Sequence, residues 1–196
     1  MFLTYFLLVP LFFVIIDPIR SFVYFFLHTN KLNKLERKKI GFLAIIIASL
    51  ILIIFVILGE SFLELIHINI NVFRIAGGIM VSLLGLNIIG IVNRQASQYK
   101  LNDDVSIATV IASPLIAGPA AITTTIISVV DYGKIVTLIS ILTVIIIVLI
   151  LFLISIRFSK IFDNSIILFK ISSIILGLIT FSNGIKFIMI GLHVIT

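Results

Sequence analysis

The stretch Ile111-Ala112-Ser113-Pro114-Leu115-Ile116-Ala117-Gly118-Pro119-Ala120-Ala121-Ile122 is apolar, yet it is interrupted by Pro114 and again by Gly118-Pro119. The run around it, about 105 to 128, is long enough to cross a bilayer. Proline removes a backbone donor and clashes with the carbonyl one turn back, so a helix here must kink or unwind near its middle. The same interruption occurs early in the chain, where Asp17-Pro18 falls near the middle of the apolar run 2 to 28. Freed backbone groups at membrane depth are tolerated only against protein or a water-filled cavity. Two interrupted helices therefore point to a midplane site; structural kinks, satisfied by Ser, Thr and neighbouring helices, are the alternative.

Working outward, the 196 residues are 61% hydrophobic and 11% charged, with a mean hydropathy of +1.37. A soluble domain carries about 25% charged residues, so this is an integral membrane chain with little left for a soluble part. Apolar runs bounded by polar clusters predict six spans, at about 2 to 28, 38 to 58, 72 to 92, 105 to 128, 135 to 156 and 171 to 193. No basic residue precedes Arg20, which predicts a retained first span and no cleaved signal peptide. Asn33 with Glu36 has the spacing of a capping box before the second span, and Asn102 to Asp104 can cap the fourth. Between spans two and three, the alternating acids and apolar residues of Gly59 to Asn71 predict a short interfacial helix.

The net charge of +6 comes from 14 Lys and Arg. Ten lie in the first, third and fifth connections: Lys31, Lys34, Arg37, Lys38, Lys39, Arg94, Lys100, Arg157, Lys160 and Lys170. The positive-inside rule explains that bias, places both termini outside, and leaves no reason to invoke nucleic acid. There is no cysteine, hence no disulfide or thiol nucleophile. His28, His67 and His193 lack ligand spacing, so no metal or other cofactor is expected. No His-Glu-x-x-His, Gly-x-Gly-Asp or Ser with an evident base is present, so no catalytic residue and no enzyme is expected.

An offset of 96 residues pairs Pro18 with Pro114, Arg74-Ile75 with Lys170-Ile171 and Asn87 with Asn183. Each half has three spans, an odd number, so the halves insert in opposite orientations. The expected fold is an all-α integral membrane protein, one polytopic domain over 1–196, with six transmembrane helices. They form two inverted three-helix repeats, about 1–98 and 99–196, and helices one and four are broken at the midplane.

The candidate binding residues follow from the breaks. In the second break, Gly118 supplies an unusual backbone angle and Pro119 suits the first position of a half-helix. That leaves the amides of Ala120, Ala121 and Ile122 as an anion site, with Thr123, Thr124 and Thr125 adding hydroxyls and Ser113-Pro114 just before. In the first break, Asp17 beside Pro18 can accept an ammonium or a coupling proton; a local ion pair with Arg20 is the structural alternative. Asn87 and Asn183 either line a cavity or bond across helices. Arg74 is expected to pair with Glu60 or Glu64, and Gly77-Gly78 with Ser82 form a small-residue packing face.

Asp17-Pro18-Ile19, then Gly59-Glu60 followed by Phe73-Arg74-Ile75-Ala76-Gly77-Gly78-Ile79, then Pro114 to Ile122 together resemble the MarC family of bacterial six-span inner-membrane proteins. Leu35-Glu36-Arg37-Lys38-Lys39-Ile40 resembles the basic stretch before the family's second span, and the likeness covers nearly the whole chain. It implies a cytoplasmic-membrane protein of inverted repeats, distantly grouped with amino-acid exporters, some members being regarded as transporters of small neutral amino acids. The family usually has an Asn-Pro-Leu-Gly-Asn-x-Pro sequence in span one. This chain has Asp17-Pro18-Ile19-Arg20-Ser21-Phe22-Val23, with arginine for glycine and no second proline. Ala120 also stands where a glycine is common.

The function expected is secondary transport of a small neutral amino acid, coupled to a proton or cation, by alternating access around the broken helices. The partners are the lipid bilayer and this small substrate. A pore-like or structural protein without coupled transport, or a decayed transporter whose site Arg20 fills, is the alternative.

Overall fold

In hydrocarbon every backbone amide and carbonyl must find a partner within the protein, and a helix achieves this within one segment. The computed structural model describes residues 2–30, 32–90, 107–109, 111–157 and 166–193, with the backbone alone at 2, 114, 115 and 166–173. The elements are α1 (Phe2–Ile16), α2 (Pro18–Thr29), α3 (Lys34–Leu65), α4 (Ile70–Ile89), a wide π-type turn (Ile111–Ile116), α5 (Pro119–Tyr132), α6 (Lys134–Arg157) and α7 (Ile166–Gly191). No strand occurs among the described residues. Among the described residues, five segments are long and apolar enough to cross a membrane: Leu3–Thr29, which is α1 with α2, then Lys34–Leu65, Ile70–Ile89, Lys134–Arg157 and Ile174–Gly191.

The capping box before α3 forms as expected: the Glu36 amide donates to Asn33 Oδ1 at 2.9 Å and the Asn33 amide to Glu36 Oε2 at 3.1 Å. The candidate cap at Asn102 to Asp104 lies outside the described residues. The separate interfacial helix expected over Gly59 to Asn71 does not exist. Instead α3 runs on to Leu65, because Gly59 and Leu63 continue the buried face of Ala48, Leu52 and Val56 at helical spacing. Its 32 residues reach about 48 Å, more than the roughly 30 Å of a hydrocarbon core.

Both faces of the long helices are apolar, which in a folded chain means burial or contact with lipid. On α3, Ile46, Leu50, Ile54 and Ile57 face outward while Ile40, Ala44, Ala48 and Leu52 face inward. On α6, Ile139, Ile146, Ile150 and Leu153 face outward, opposite Ile141, Val144, Val148 and Phe152.

Helices α4 and α7 pack backbone to backbone. Gly78 and Gly85 of α4 face Gly184 and Gly177 of α7, and Asn71 faces Gly191, so the two helices run antiparallel with glycines in register. A Cβ on Gly191 would sit 2.7 Å from the Asn71 carbonyl oxygen. Close approach of this kind is the usual means by which helices associate where lipid removes the hydrophobic drive.

The segment following each break packs on the far part of the chain. Helix α5 lies on α3, where Gly59 makes room for Ile126, and on α4, where Gly77 makes room for Thr123. Helix α2 lies on α6 and α7. Its Phe25 stacks on Phe152 of α6 with ring centroids 4.3 Å apart.

Candidate functional site

The elements flanking the two breaks pack on one another, α1 on α5 and α2 on the Ile111–Ile116 turn. At the first, Pro18 opens α2 and Asp17 is its N-cap. Asp17 sits at φ 47° and ψ 73°, the left-handed region that Asp tolerates better than most residues. Oδ1 accepts the Arg20 amide at 3.0 Å. The Arg20 guanidinium does not come within ion-pair distance of Asp17, although its charge still acts on the carboxylate; the direct bond is from the Arg20 backbone. Asp17 is only 3% exposed, and Oδ2 is buried with no partner. The carbonyls just before it are partly satisfied: Thr180 Oγ1 donates to the Val14 oxygen at 3.3 Å and Ser21 Oγ to that of Ile16 at 3.4 Å.

At the second break the chain widens before it restarts. The Ala117 amide reaches back five residues to the Ala112 carbonyl at 2.8 Å, and Ser113 is extended within that turn at φ −140°. Pro114 lies in the same turn, and the Ser113 side chain faces outward. Gly118 is extended, φ −75° and ψ 172°, and leaves α5 without a side-chain cap; Pro119 is its first residue. The Ile122 amide is not free, because it donates to the Gly118 carbonyl at 3.0 Å. Of the three amides expected to be free at the start of α5, this leaves those of Ala120 and Ala121, both residues being buried.

The three threonines divide in a way their adjacency could not foretell. Thr123 Oγ1 donates to the Pro119 carbonyl at 2.9 Å and Thr125 Oγ1 to that of Ala121 at 2.8 Å. Thr124 Oγ1 is buried with no partner. It lies one helical turn after Ala120 on the same face of α5. Ser82 Oγ is likewise buried and unpartnered. It lies against Gly184, one turn along α7 from the Thr180 that bonds Val14.

Asn87 and Asn183 do not join this group. Asn183 Nδ2 donates to the Ile179 carbonyl of its own helix at 3.0 Å. Asn87 stands in the last turns of α4, where its carbonyl accepts the Gly90 amide at 3.1 Å.

Polar links hold both ends of the bundle. At one end Arg37, read from sequence as a loop cation, is 3% exposed. Its Nη2 donates to the Ser155 carbonyl at 3.2 Å and hydroxyl at 3.0 Å, its Nε to Thr29 Oγ1 at 3.3 Å. The guanidinium carbon lies 5.9 Å from the ring centroids of Phe25 and Phe26. The signal for this burial was present: Arg37 shares helical spacing with Ile40, Gly41, Ala44 and Ala48. At the other end Arg74 does not pair with Glu60 or Glu64. Its Nη2 forms an ion pair with Asp131 of α5, and its Nη1 donates to Asn71 Oδ1 at 3.0 Å. Glu60 instead lies 4.0 Å from Lys134, and Asn71 Nδ2 is 3.1 Å from His193 Nε2.

Comparison with known proteins agrees with this architecture. The chain is similar to a UPF0056 membrane protein of Buchnera aphidicola subsp. Baizongia pistaciae, 33% identical over 192 residues that cover 92% of this chain and 88% of that one. It is 35% identical over 121 residues to the UPF0056 membrane protein YhcE of Escherichia coli, covering 59% and 56% of the two chains. A UPF0056 membrane protein of Archaeoglobus fulgidus is 32% identical over 129 residues, covering 63% and 61%. The latter two matches span under two thirds of those relatives' length. No solved structure matches the chain significantly. The family model described as MarC family integral membrane protein matches residues 2–196. This chain, an all-α multi-pass membrane protein, belongs to the MarC family.

Proposed function

We propose that the protein is a secondary transporter of small neutral amino acids in the cytoplasmic membrane, working by alternating access around the two helix breaks. The observation that carries this reading is the unpartnered carboxylate oxygen of Asp17, buried where α1 gives way to α2. A buried acceptor left unmade costs about 1–3 kcal/mol, more when charged, and a substrate ammonium would satisfy it. The uncapped start of α5 offers the complementary pole: the Ala120 and Ala121 amides with the helix dipole for a carboxylate, and the unpartnered Thr124 hydroxyl one turn further on. A zwitterion with a short side chain spans such a pair of poles.

Six spans in two inverted repeats accord with the positions of equivalent features. Helix α2 starts at Pro18 and α5 at Pro119, α3 starts at Lys34 and α6 at Lys134. Gly78 and Gly85 correspond to Gly177 and Gly184. These support an offset of about 100 residues, larger than the 96 suggested by matching Pro18 to Pro114. With it, the facing pair Gly78 and Gly184 exchanges with the pair Gly177 and Gly85, as a two-fold axis in the membrane plane requires. The basic bias of the connections supports an orientation with the Arg37 end inside and the Arg74 end outside.

Uptake of labelled glycine, alanine and serine into liposomes, with and without a proton gradient, tests the proposal. Saturable uptake by the wild type, lost in Asp17→Asn, is the expected result. Absence of uptake by both the wild type and Arg20→Gly would overturn it in favour of a structural role. That second reading has one observation behind it, the work Asp17 already does as the N-cap of α2.

A further inference from the structure

Three polar links at the Arg74 end share one property. Arg74 with Asp131, Asn71 with His193 and Glu60 with Lys134 each join a residue of the first half of the chain to one of the second. We infer that this cluster, with Arg74 and Asp131 at its centre, is a latch that closes one mouth of the protein and parts when that mouth opens. The inference rests on the transporter reading for its purpose, though not for its test.

Asp131 stands in the last turn of α5, the helix whose other end is the uncapped N-terminus at the second break. Fourteen residues of unbroken helix make a stiff rod of about 20 Å, so displacing its N-terminus displaces Asp131. Ile126 and Thr123 seat this rod against Gly59 of α3 and Gly77 of α4, so it moves as one piece with those contacts.

The closed latch is also incompletely satisfied. Arg74 Nε is buried with no partner, and a guanidinium left with an unmade donor offsets part of what its ion pair contributes. Parting the pair returns that donor to water. Lys134 and Glu60 are about half exposed, 50% and 44% by side chain, and add only a weak, screened contact. Among the described residues the opposite end is built differently: Arg37 is held by Thr29, Ser155 and two phenylalanine faces, at 3% exposure. One end is thus a fastened seam and the other a closure poised to open.

The chain has no cysteine, so a single introduced thiol reports opening without background. Ser128→Cys is nearly isosteric, and Ser128 is buried on α5 one turn before Asp131. A membrane-impermeant maleimide is applied in turn to each face of sealed vesicles containing the full chain, with no substrate added. The modification rate of the Ser128→Cys thiol is expected to rise about fivefold, from one face only, when Asp131→Asn or Arg74→Gln is added, the shift that loss of a partly buried ion pair produces. It should fall back in the charge-swapped protein carrying Arg74→Asp and Asp131→Arg. An unchanged rate in both single variants, or a swap as reactive as either, would overturn the latch. So would a matching rise at Val148→Cys, buried in the body of α6, since the variants would then have loosened the whole fold. Raised labelling without amino-acid uptake removes the substrate reading alone, and saturable uptake with unchanged labelling removes the latch alone.

Discussion

Gly78 of α4 and Gly184 of α7 approach so closely that a Cβ on Gly78 would lie 2.6 Å from the Gly184 carbonyl oxygen. Backbone atoms cannot yield as a flexible side chain can. Gly78→Ala and Gly184→Ala are each expected to destabilise the fold by about 1–3 kcal/mol through overpacking. Gly133→Ala meets no atom within 4 Å but must hold φ 88°, so its cost, about 1–2 kcal/mol, is conformational. Unfolding midpoints in a denaturing detergent titration would separate the helix-contact variants from this turn variant if combined: Gly78→Ala with Gly133→Ala should be additive, Gly78→Ala with Gly184→Ala should not.

Asp17 has two separable roles. Asp17→Asn keeps an Oδ1 acceptor for the Arg20 amide and a side chain that tolerates the left-handed region, so stability should change little. Asp17→Ala loses the cap, about 1 kcal/mol, and a further 1 kcal/mol or so of backbone tolerance. Both should abolish uptake. Equal uptake by Asp17→Asn and wild type would confine Asp17 to its structural role.

Thr124→Val removes a buried hydroxyl that has no partner, so it should raise stability by up to about 1 kcal/mol while weakening transport. Thr125→Val removes a hydroxyl already bonded within its helix and should leave transport unchanged. The opposite signs of the stability and transport effects at Thr124 are the signature sought, read from melting curves and saturation kinetics of the same preparations.

Arg37→Lys should destabilise by about 1.5–3 kcal/mol, because a lysine ammonium cannot reach Thr29 and Ser155 with the planar fork that serves both. Arg37→Met, similar in volume and uncharged, should be less damaging than Arg37→Ala, which leaves a cavity beside Phe25 and Phe26 as well as the lost bonds. The order of the three detergent-denaturation midpoints checks this.

The helix breaks were legible where proline follows a residue suited to end or cap a helix: Pro18 after Asp17 and Pro119 after Gly118 each open one, whereas Pro10 is carried inside α1. The capping box of Asn33 and Glu36 was legible too, its partners being three residues apart. Arg74 was misassigned because its partner, Asp131, is 57 residues away in sequence, beyond any local pattern, while Glu60 and Glu64 were near at hand. The extension of α3 through Leu65 was hidden by the charges of Glu60 and Glu64, which mimic a surface helix unless the buried face of Gly59 and Leu63 is known. Which threonine keeps a free hydroxyl depends on rotamers that three identical neighbours do not disclose.

The packing of α2 onto α6 and α7 constrains how the protein is made. A ribosome adding about 5–20 residues per second finishes α2 about 8–32 seconds before α6 and α7 have both been synthesised. During that interval Phe25 has no Phe152 to stack on, and Arg37 has no Ser155. The nascent first half must wait in lipid or in the insertion machinery with an aspartate and an arginine still unsheltered, so assembly is completed only late in translation. A chain stopped after α4 would be left in that condition permanently, as prey for membrane quality-control proteases.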